Sequence, residues 1–311
     1  MTSIRETDEE RDVEEILELW REAFPVDVIN REAWLHYGRA MPATARLGDW
    51  VAEDEGCVVG SGYAFLSFFG DEGTAHCRVL VGSSHRRRGI GRALFGRVEA
   101  HAHAIGATRL LASFDESPAG VAFATALGFT EARAERSAVL DPRSVRTAPP
   151  AGVDLRPLRI VDPRLAHAID LEASRDMPSV EAIDDMPYDD WERFVLGHPL
   201  LTLDGSFLAF VEDEPAALSL VTADPASGRA SSMFTGTRRA FRGRGLGLAV
   251  KLASIAWANE QGVTQLATRN DESNAPMLAI NRRLGYVPAT RRVEWVREEM
   301  ASSRVRRAPA T

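Results

Sequence analysis

Apolar residues recur along this chain with two spacings, one of about 3.6 and one of two, and the two alternate in the same order twice. In the first half a short strand is expected near Ile4. Val13, Ile16, Leu17 and Trp20 then share one helical face and predict a helix over 8–24. A second helix is expected from Asn30, a good N-cap residue, through Trp34 and Tyr37. Residues 50–53 and 57–69 read as a hairpin turning at Asp54-Glu55-Gly56, and 75–81 as a strand. A helix over 92–105 stops at Gly106, 108–114 is strand-like, and 118–127 predicts a short helix ended by Gly128.

The second half repeats that order. Strand 153–158 precedes helix 163–174, which has Pro163 in its first turn, and a second helix over 187–196 carries Trp191. A hairpin joins 207–211 to 216–221, strand 230–237 follows, and then come helix 248–260, strand 263–268, helix 275–284 and a final strand over 291–296. The stretch 141–152, DPRSVRTAPPAG, has three prolines and little apolar content. These features predict a domain over 1–142, a linker over 143–152, a second domain over 153–300 and a tail over 301–311.

Each half also carries one Arg/Gly turn between a strand and a helix. In the second, Thr235, Gly236 and Thr237 end the strand, Arg242-Gly243-Arg244-Gly245-Leu246-Gly247 forms the turn, and Leu248 opens the apolar helix. In the first, Val79, Leu80 and Val81 lead into Arg86-Arg87-Arg88-Gly89-Ile90-Gly91-Arg92. Arg242, Gly245 and Gly247 each lie 156 positions after Arg86, Gly89 and Gly91. Leu127-Gly128-Phe129 and Leu284-Gly285-Tyr286, like Trp34 and Trp191, are related by 157. A glycine turn entering a helix is a physical device for holding phosphate: unpaired N–H groups point outward, and the helix dipole favours an anion.

A strand followed by R-x-x-G-x-G, with Leu-Gly-(Phe/Tyr) about forty residues later, resembles the GNAT superfamily of acyl-CoA-dependent N-acyltransferases. The likeness covers nearly the whole chain, once per half, and is fuller in the second through Arg242, Gly245, Gly247, Asn274 and Leu284-Gly285-Tyr286. The tandem arrangement resembles that of actinobacterial double-GNAT proteins, mycothiol synthase among them. The resemblance implies an α/β (α+β) fold of two tandem GNAT-like domains, each a mixed central sheet flanked by helices. It implies acetyl-CoA as acyl donor, its pyrophosphate on the turns and its pantetheine arm along Val79–Val81 and Thr235–Thr237, in a splay between parallel strands. Asn274 is placed near this carrier and also fits a plain N-cap.

Composition narrows the classes. The chain has 311 residues, 45% hydrophobic and 26% charged, the range of a globular protein of two domains. No apolar run approaches the roughly 18 residues of a membrane span, and the acidic start lacks a leader's apolar core, so a cytoplasmic location is expected. Net charge is −8, which argues against sequence-independent nucleic-acid binding and favours a cationic partner. Lys251 is the sole lysine, and the remaining 36 of 37 basic residues are arginine. Cys57 and Cys77 are expected as buried free thiols, His101 and His103 as solvated residues, and no metal motif is present.

The expected reaction is transfer of an acetyl group to a primary amine of a small cationic substrate, in the C-terminal domain. Many relatives carry a tyrosine acid on the last helix, where this chain has Ala124 and Asn281, and core packing is expected for Tyr286. Many also carry a glutamate base on the strand entering the turn, where this chain reads Ser231-Ser232-Met233-Phe234 and, in the first half, His76, expected to be structural. The acidic loop holding Asp176, Glu181, Asp184 and Asp185 is expected to border the amine site, with Asp176 as base or ammonium anchor. Two other functions fit the same motifs: a non-catalytic acyl-CoA-binding sensor or scaffold, and a protein N-terminal or lysine acetyltransferase.

Overall fold

The computed structural model describes residues 2–181 and 185–298. Asp184 and the expected tail over 301–311 lie outside the described residues. In the first half β1 (Ser3–Glu6), α1 (Glu9–Ala23), α2 (Arg31–Ala40), β2 (Gly48–Asp54), β3 (Cys57–Leu66) and β4 (Thr74–Val81) precede the first turn. After it come α3 (Ile90–Ala104), β5 (Arg109–Asp115), α4 (Pro118–Ala126) and β6 (Thr130–Leu140). The second half repeats this as β7 (Asp154–Pro157), α5 (Pro163–Ser174), α6 (Tyr188–Trp191) running into a π turn, β8 (Phe207–Val211), β9 (Glu214–Asp224) and β10 (Arg229–Thr237). It closes with α7 (Leu246–Glu260), β11 (Gln265–Asp271), α8 (Ala275–Leu284) and β12 (Val287–Glu298).

The strands form one mixed sheet in the order β1-β2-β3-β4-β5-β12-β6-β11-β10-β9-β8-β7. The two halves exchange their last strands. β6 leaves the first half to pair with β11, Leu266 opposite Leu140, while β12 returns from the second half to pair with β5, Arg292 opposite Asp115. β6 and β12 then pair with each other along the centre. The exchange converts two inner edges, each with unpaired main-chain groups, into one continuous ladder. The apolar pattern does not mark β6, whose TEARAERSAVL carries four charges and small residues.

Helices cover both faces. Beneath the first half α3 buries Phe95, Val98 and Ala102 against Ala75 and Cys77. On the opposite face Ile16, Leu19 and Phe24 pack on Val51, Val58 and Leu80. The second half buries Leu252 and Ile255 against Ala230 and Leu266 on one face, and Ile169 and Trp191 against Leu208 and Leu220 on the other. Two expectations change. Cys57 is exposed, because it opens β3 directly after the tight turn at Glu55-Gly56, whereas Cys77 is buried. His101 is half-buried, its ring 5.3 Å from Trp50 and its Nε2 2.8 Å from Arg46 O. Among the described residues no helix is long and apolar enough to cross a membrane.

Candidate functional site

The two turns fold alike. Gly89 and Gly245 stand at the N-caps of α3 and α7 with φ of +83° and +77°, a region that strains any residue with a Cβ. A Cβ built on either glycine meets no atom within 4 Å, so the space in front of each glycine is open. Neither helix has a side-chain cap, whereas Asp8, Asn30, Ser117, Asp162 and Asn274 cap α1, α2, α4, α5 and α8. The first helical hydrogen bonds run from Ala93 N to Gly89 O and from Ala249 N to Gly245 O. The N–H groups of Ile90, Gly91 and Arg92, and of Leu246, Gly247 and Leu248, therefore precede the helical ladder. These donors and the helix dipole suit each turn to a diphosphate.

Side chains hold the turns from behind. Arg86 Nε donates to Val81 O, and Arg242 Nε to Thr237 O, both at 3.0 Å. A glutamate from the first helix of each half completes the brace. Glu22 accepts from Ser83 N at 3.0 Å and from Arg86 Nη2 at 2.9 Å. Glu172 accepts from Arg239 N and from Arg238 Nε, each at 2.8 Å. Those hydrogen bonds hold the Glu172 carboxyl below the usual carboxylate range. Neither glutamate was marked by the sequence, since an acid late in an amphipathic helix looks like any solvated one. Arg88 pairs with Asp54 at 2.8 Å, while Arg87, Arg92, Gly243 and Arg244 are exposed around the turns.

In front of each turn two parallel strands part. β4 and β5 pair as far as Cys77 opposite Ala112, and β10 and β11 as far as Ser232 opposite Thr268. Beyond these points Val79–Val81 and Thr235–Thr237 have no partner on that side, which is the expected splay. The halves differ inside it. In β10 the register against β9 slips between Ser232 and Phe234, so Met233 is a bulge residue outside the ladder. β4 runs against β3 without a slip, and Arg78 occupies the place of Phe234. Arg78 Nε donates across the first splay to Ser113 O at 3.2 Å, tying β4 to β5 where the second splay has no such tie among the described residues.

Behind the second splay lies a buried polar group that sequence did not single out. Lys251 on α7 is 2% exposed, and burial pushes its amine down to about 8. Its Nζ donates to Ser232 Oγ at 3.3 Å, and Ser232 Oγ lies 3.3 Å from Thr235 Oγ1 in the splayed segment. Nζ also sits 5.3 Å from the centre of the Tyr286 ring. Tyr286 is part of the core as expected, and burial raises its hydroxyl's pKa. Lys251 and Tyr286 stand where the first half has Phe95 and Phe129; a lysine inside an apolar helix was the available signal. Asn274 Oδ1 caps α8 by accepting from Met277 N at 3.2 Å, and Asn281 Nδ2 donates to Asn270 Oδ1 at 2.6 Å.

The acidic loop is largely committed to arginines. Asp176 pairs with Arg239 and, at 2.7 Å, with Arg242, and these guanidiniums hold its carboxyl far below the usual range. A carboxylate so strongly stabilised as an anion is a poor proton acceptor, and in the fold Asp176 braces the second turn through Arg239 and Arg242. Asp185 pairs with Arg175. Glu181 reaches the other half, 2.8 Å from His76 Nε2, which gives His76 a structural partner.

Residues 13–129 match the family model described as Acetyltransferase (GNAT) family. The chain is 27% identical over 276 residues to a mycothiol acetyltransferase of Parafrankia sp. (strain EAN1pec), covering 78% of this chain and 83% of that protein. A mycothiol acetyltransferase of Saccharomonospora viridis is 27% identical over 243 residues, covering 72% and 75%. Among solved structures, a tandem GNAT protein from the clavulanic acid biosynthesis pathway superposes with a TM-score of 0.73 at 25% identity, over 96% of this chain and 98% of that one. A GCN5-related N-acetyltransferase from Sphaerobacter thermophilus shares the fold, with a TM-score of 0.74 at 17% identity and the same coverage.

Proposed function

We propose that the chain, similar over residues 13–129 to the GNAT acetyltransferase family, is an acyltransferase of that type built from two tandem folds and carries an acetyl group from acetyl-CoA to a primary amine, with the transfer in the C-terminal half. The observation that carries the choice of half is the bulge at Met233 beside an untied splay, against the Arg78 tie across the first. The amides of Leu246, Gly247 and Leu248 would hold the pyrophosphate, and the free edge of Thr235–Thr237 would hydrogen-bond the pantetheine arm. A main-chain N–H released from the ladder at the bulge is suited to stabilise charge growing on the thioester oxygen as the amine attacks. The attacking nitrogen must be neutral, and its proton leaves through water, because Asp176 is pinned by Arg239 and Arg242. A net charge of −8 favours approach of a cationic acceptor.

The test is calorimetry with acetyl-CoA together with release of CoA thiol over a panel of amines. Wild type is compared with Gly89→Glu and Gly245→Glu, each placing a charged side chain at a positive φ in front of the orphan amides. Gly245→Glu is expected to lose one binding site and all turnover, while Gly89→Glu keeps turnover. Turnover lost in Gly89→Glu and kept in Gly245→Glu would move the reaction to the first half. Unchanged stoichiometry in both would remove the turns as carrier sites.

A further inference from the structure

The first half contains a cavity of about 380 Å³ between α1, α2 and the face of β2, β3 and β4, and the transfer assigned to the second half does not use it. Its walls are aromatic: Trp20, Trp34, Trp50, Tyr63 and Phe65. Trp20 and Trp34 meet edge-on at 5.3 Å, and Tyr63 stacks on Phe65 at 5.8 Å, so the walls are built against each other. Three arginines also line it: Arg78 from β4 and, across the exchanged strands, Arg269 from β11 and Arg292 from β12. Their partners differ. Arg292 is saturated by Asp115 at 2.6 Å and by Asp27 at 3.0 and 3.2 Å.

Arg78 and Arg269 are not saturated. Arg78 lies over the rings of Trp20 and Phe24 at 4.5 and 4.7 Å and gives one hydrogen bond, to Ser113 O. Among the described residues it has no ion pair. Arg269 has no hydrogen bond among the described residues, and its nearest carboxylates, Glu135 at 3.6 Å and Asp27 at 3.8 Å, are already shared with other arginines. A third of its side chain, 35%, remains accessible. The Arg78 guanidinium is held among rings without a matched anion, which is costly, and the planar fork of either arginine fits a carboxylate in two parallel hydrogen bonds. Asp49 on β2 and Glu9 in the first turn of α1 also line the wall, as does Asp27, whose charge is taken up by Arg292. On the matching face of the second half Phe234 stands in the place of Arg78 and packs with Ile169, Trp191 and Leu220.

We propose that this cavity binds a small aromatic carboxylate, its acid group on Arg78 and Arg269 and its ring between Trp20, Trp34 and Tyr63. The ligand is held by both sequence halves, since Arg269 arrives from the second.

Binding to the full chain is read by calorimetry, with indole-3-acetate as probe. Tryptamine, which has the same ring and an ammonium in place of the acid, is the control. Indole-3-acetate is expected to bind with one-to-one stoichiometry, at least about tenfold tighter than tryptamine, as charge-assisted hydrogen bonds imply. Arg269→Gln is expected to weaken it by about tenfold or more while acetyl-CoA binding persists. Ser61→Phe, which fills the cavity from β3 without altering either arginine, is expected to abolish it. Gly245→Glu should leave probe binding unchanged, separating this site from the carrier turn. The proposal is overturned if indole-3-acetate fails to bind at millimolar concentration, if tryptamine binds as tightly, or if folded Arg269→Gln and Ser61→Phe both bind like wild type.

Discussion

Lys251→Met changes one buried charge and leaves the helix its length and propensity. The amine of Lys251 is 2% exposed, donates to Ser232 Oγ at 3.3 Å, and has no carboxylate partner among the described residues. Burial lowers its pKa to about 8, against about 10.4 for an unfolded lysine, a difference worth about 3 kcal/mol. The sign follows from proton counts. Below pH 8 both states hold the proton, and the folded chain bears the full cost of the buried ammonium. Between about pH 8 and 10.4 the unfolded chain holds more protons than the folded one, so wild-type stability rises with pH. The methionine variant lacks that cost throughout but loses one hydrogen bond, worth about 1 kcal/mol. The variant is therefore expected to be more stable at pH 7 by about 2 kcal/mol. The advantage should vanish or reverse by pH 10. Urea unfolding of both proteins at pH 7, 8.5 and 10 measures the gap, and groups that titrate alike in both cancel. A gap independent of pH would refute the reasoning, because it would mean that Lys251 titrates alike in the folded and unfolded chains.

Two further outcomes follow from neighbouring groups. Asp176→Asn releases Arg239 and Arg242, so acetyl-CoA is expected to bind less tightly by up to about tenfold with the pH profile of turnover unchanged. A fall in kcat of a hundredfold or more at unchanged affinity would instead restore Asp176 as the base. Burial and nearby His36 push the His198 imidazole down to about 4. Between pH 6.5 and 4 the unfolded chain takes up a proton that folded His198 refuses, so stability falls as pH falls. Against His198→Gln, wild type is expected to lose about 2 kcal/mol on going from pH 7 to 5 in urea titrations; parallel loss in both proteins would contradict it.

Both turns and the order of elements other than β6 were legible in the sequence. Gly89 and Gly245 mark positive-φ caps that only a glycine fills without strain, and the apolar spacing of Val13, Ile16 and Leu17, or of Leu248, Leu252 and Ile255, marks the helices. These are short-range demands, made by each residue on its own backbone and on neighbours one turn away. The 156-residue register between Arg86 and Arg242 shows the doubling for the same reason, since it compares like with like along one chain.

Tertiary structure alone decided the rest. That β6 and β12 change places depends on which distant edge offers the better ladder, and TEARAERSAVL carries no alternation that names its partner. Asp176 reads as a free acid until folding brings Arg239 and Arg242 beside it, and Lys251 stands out only as the sole lysine until α7 lays it under β10. Arg78 and Phe234 differ by one side chain in matching strands, yet one opens onto a cavity and the other closes a core. Charge state and free volume are properties of the assembled surroundings, and a residue acquires them only when segments far apart in sequence meet.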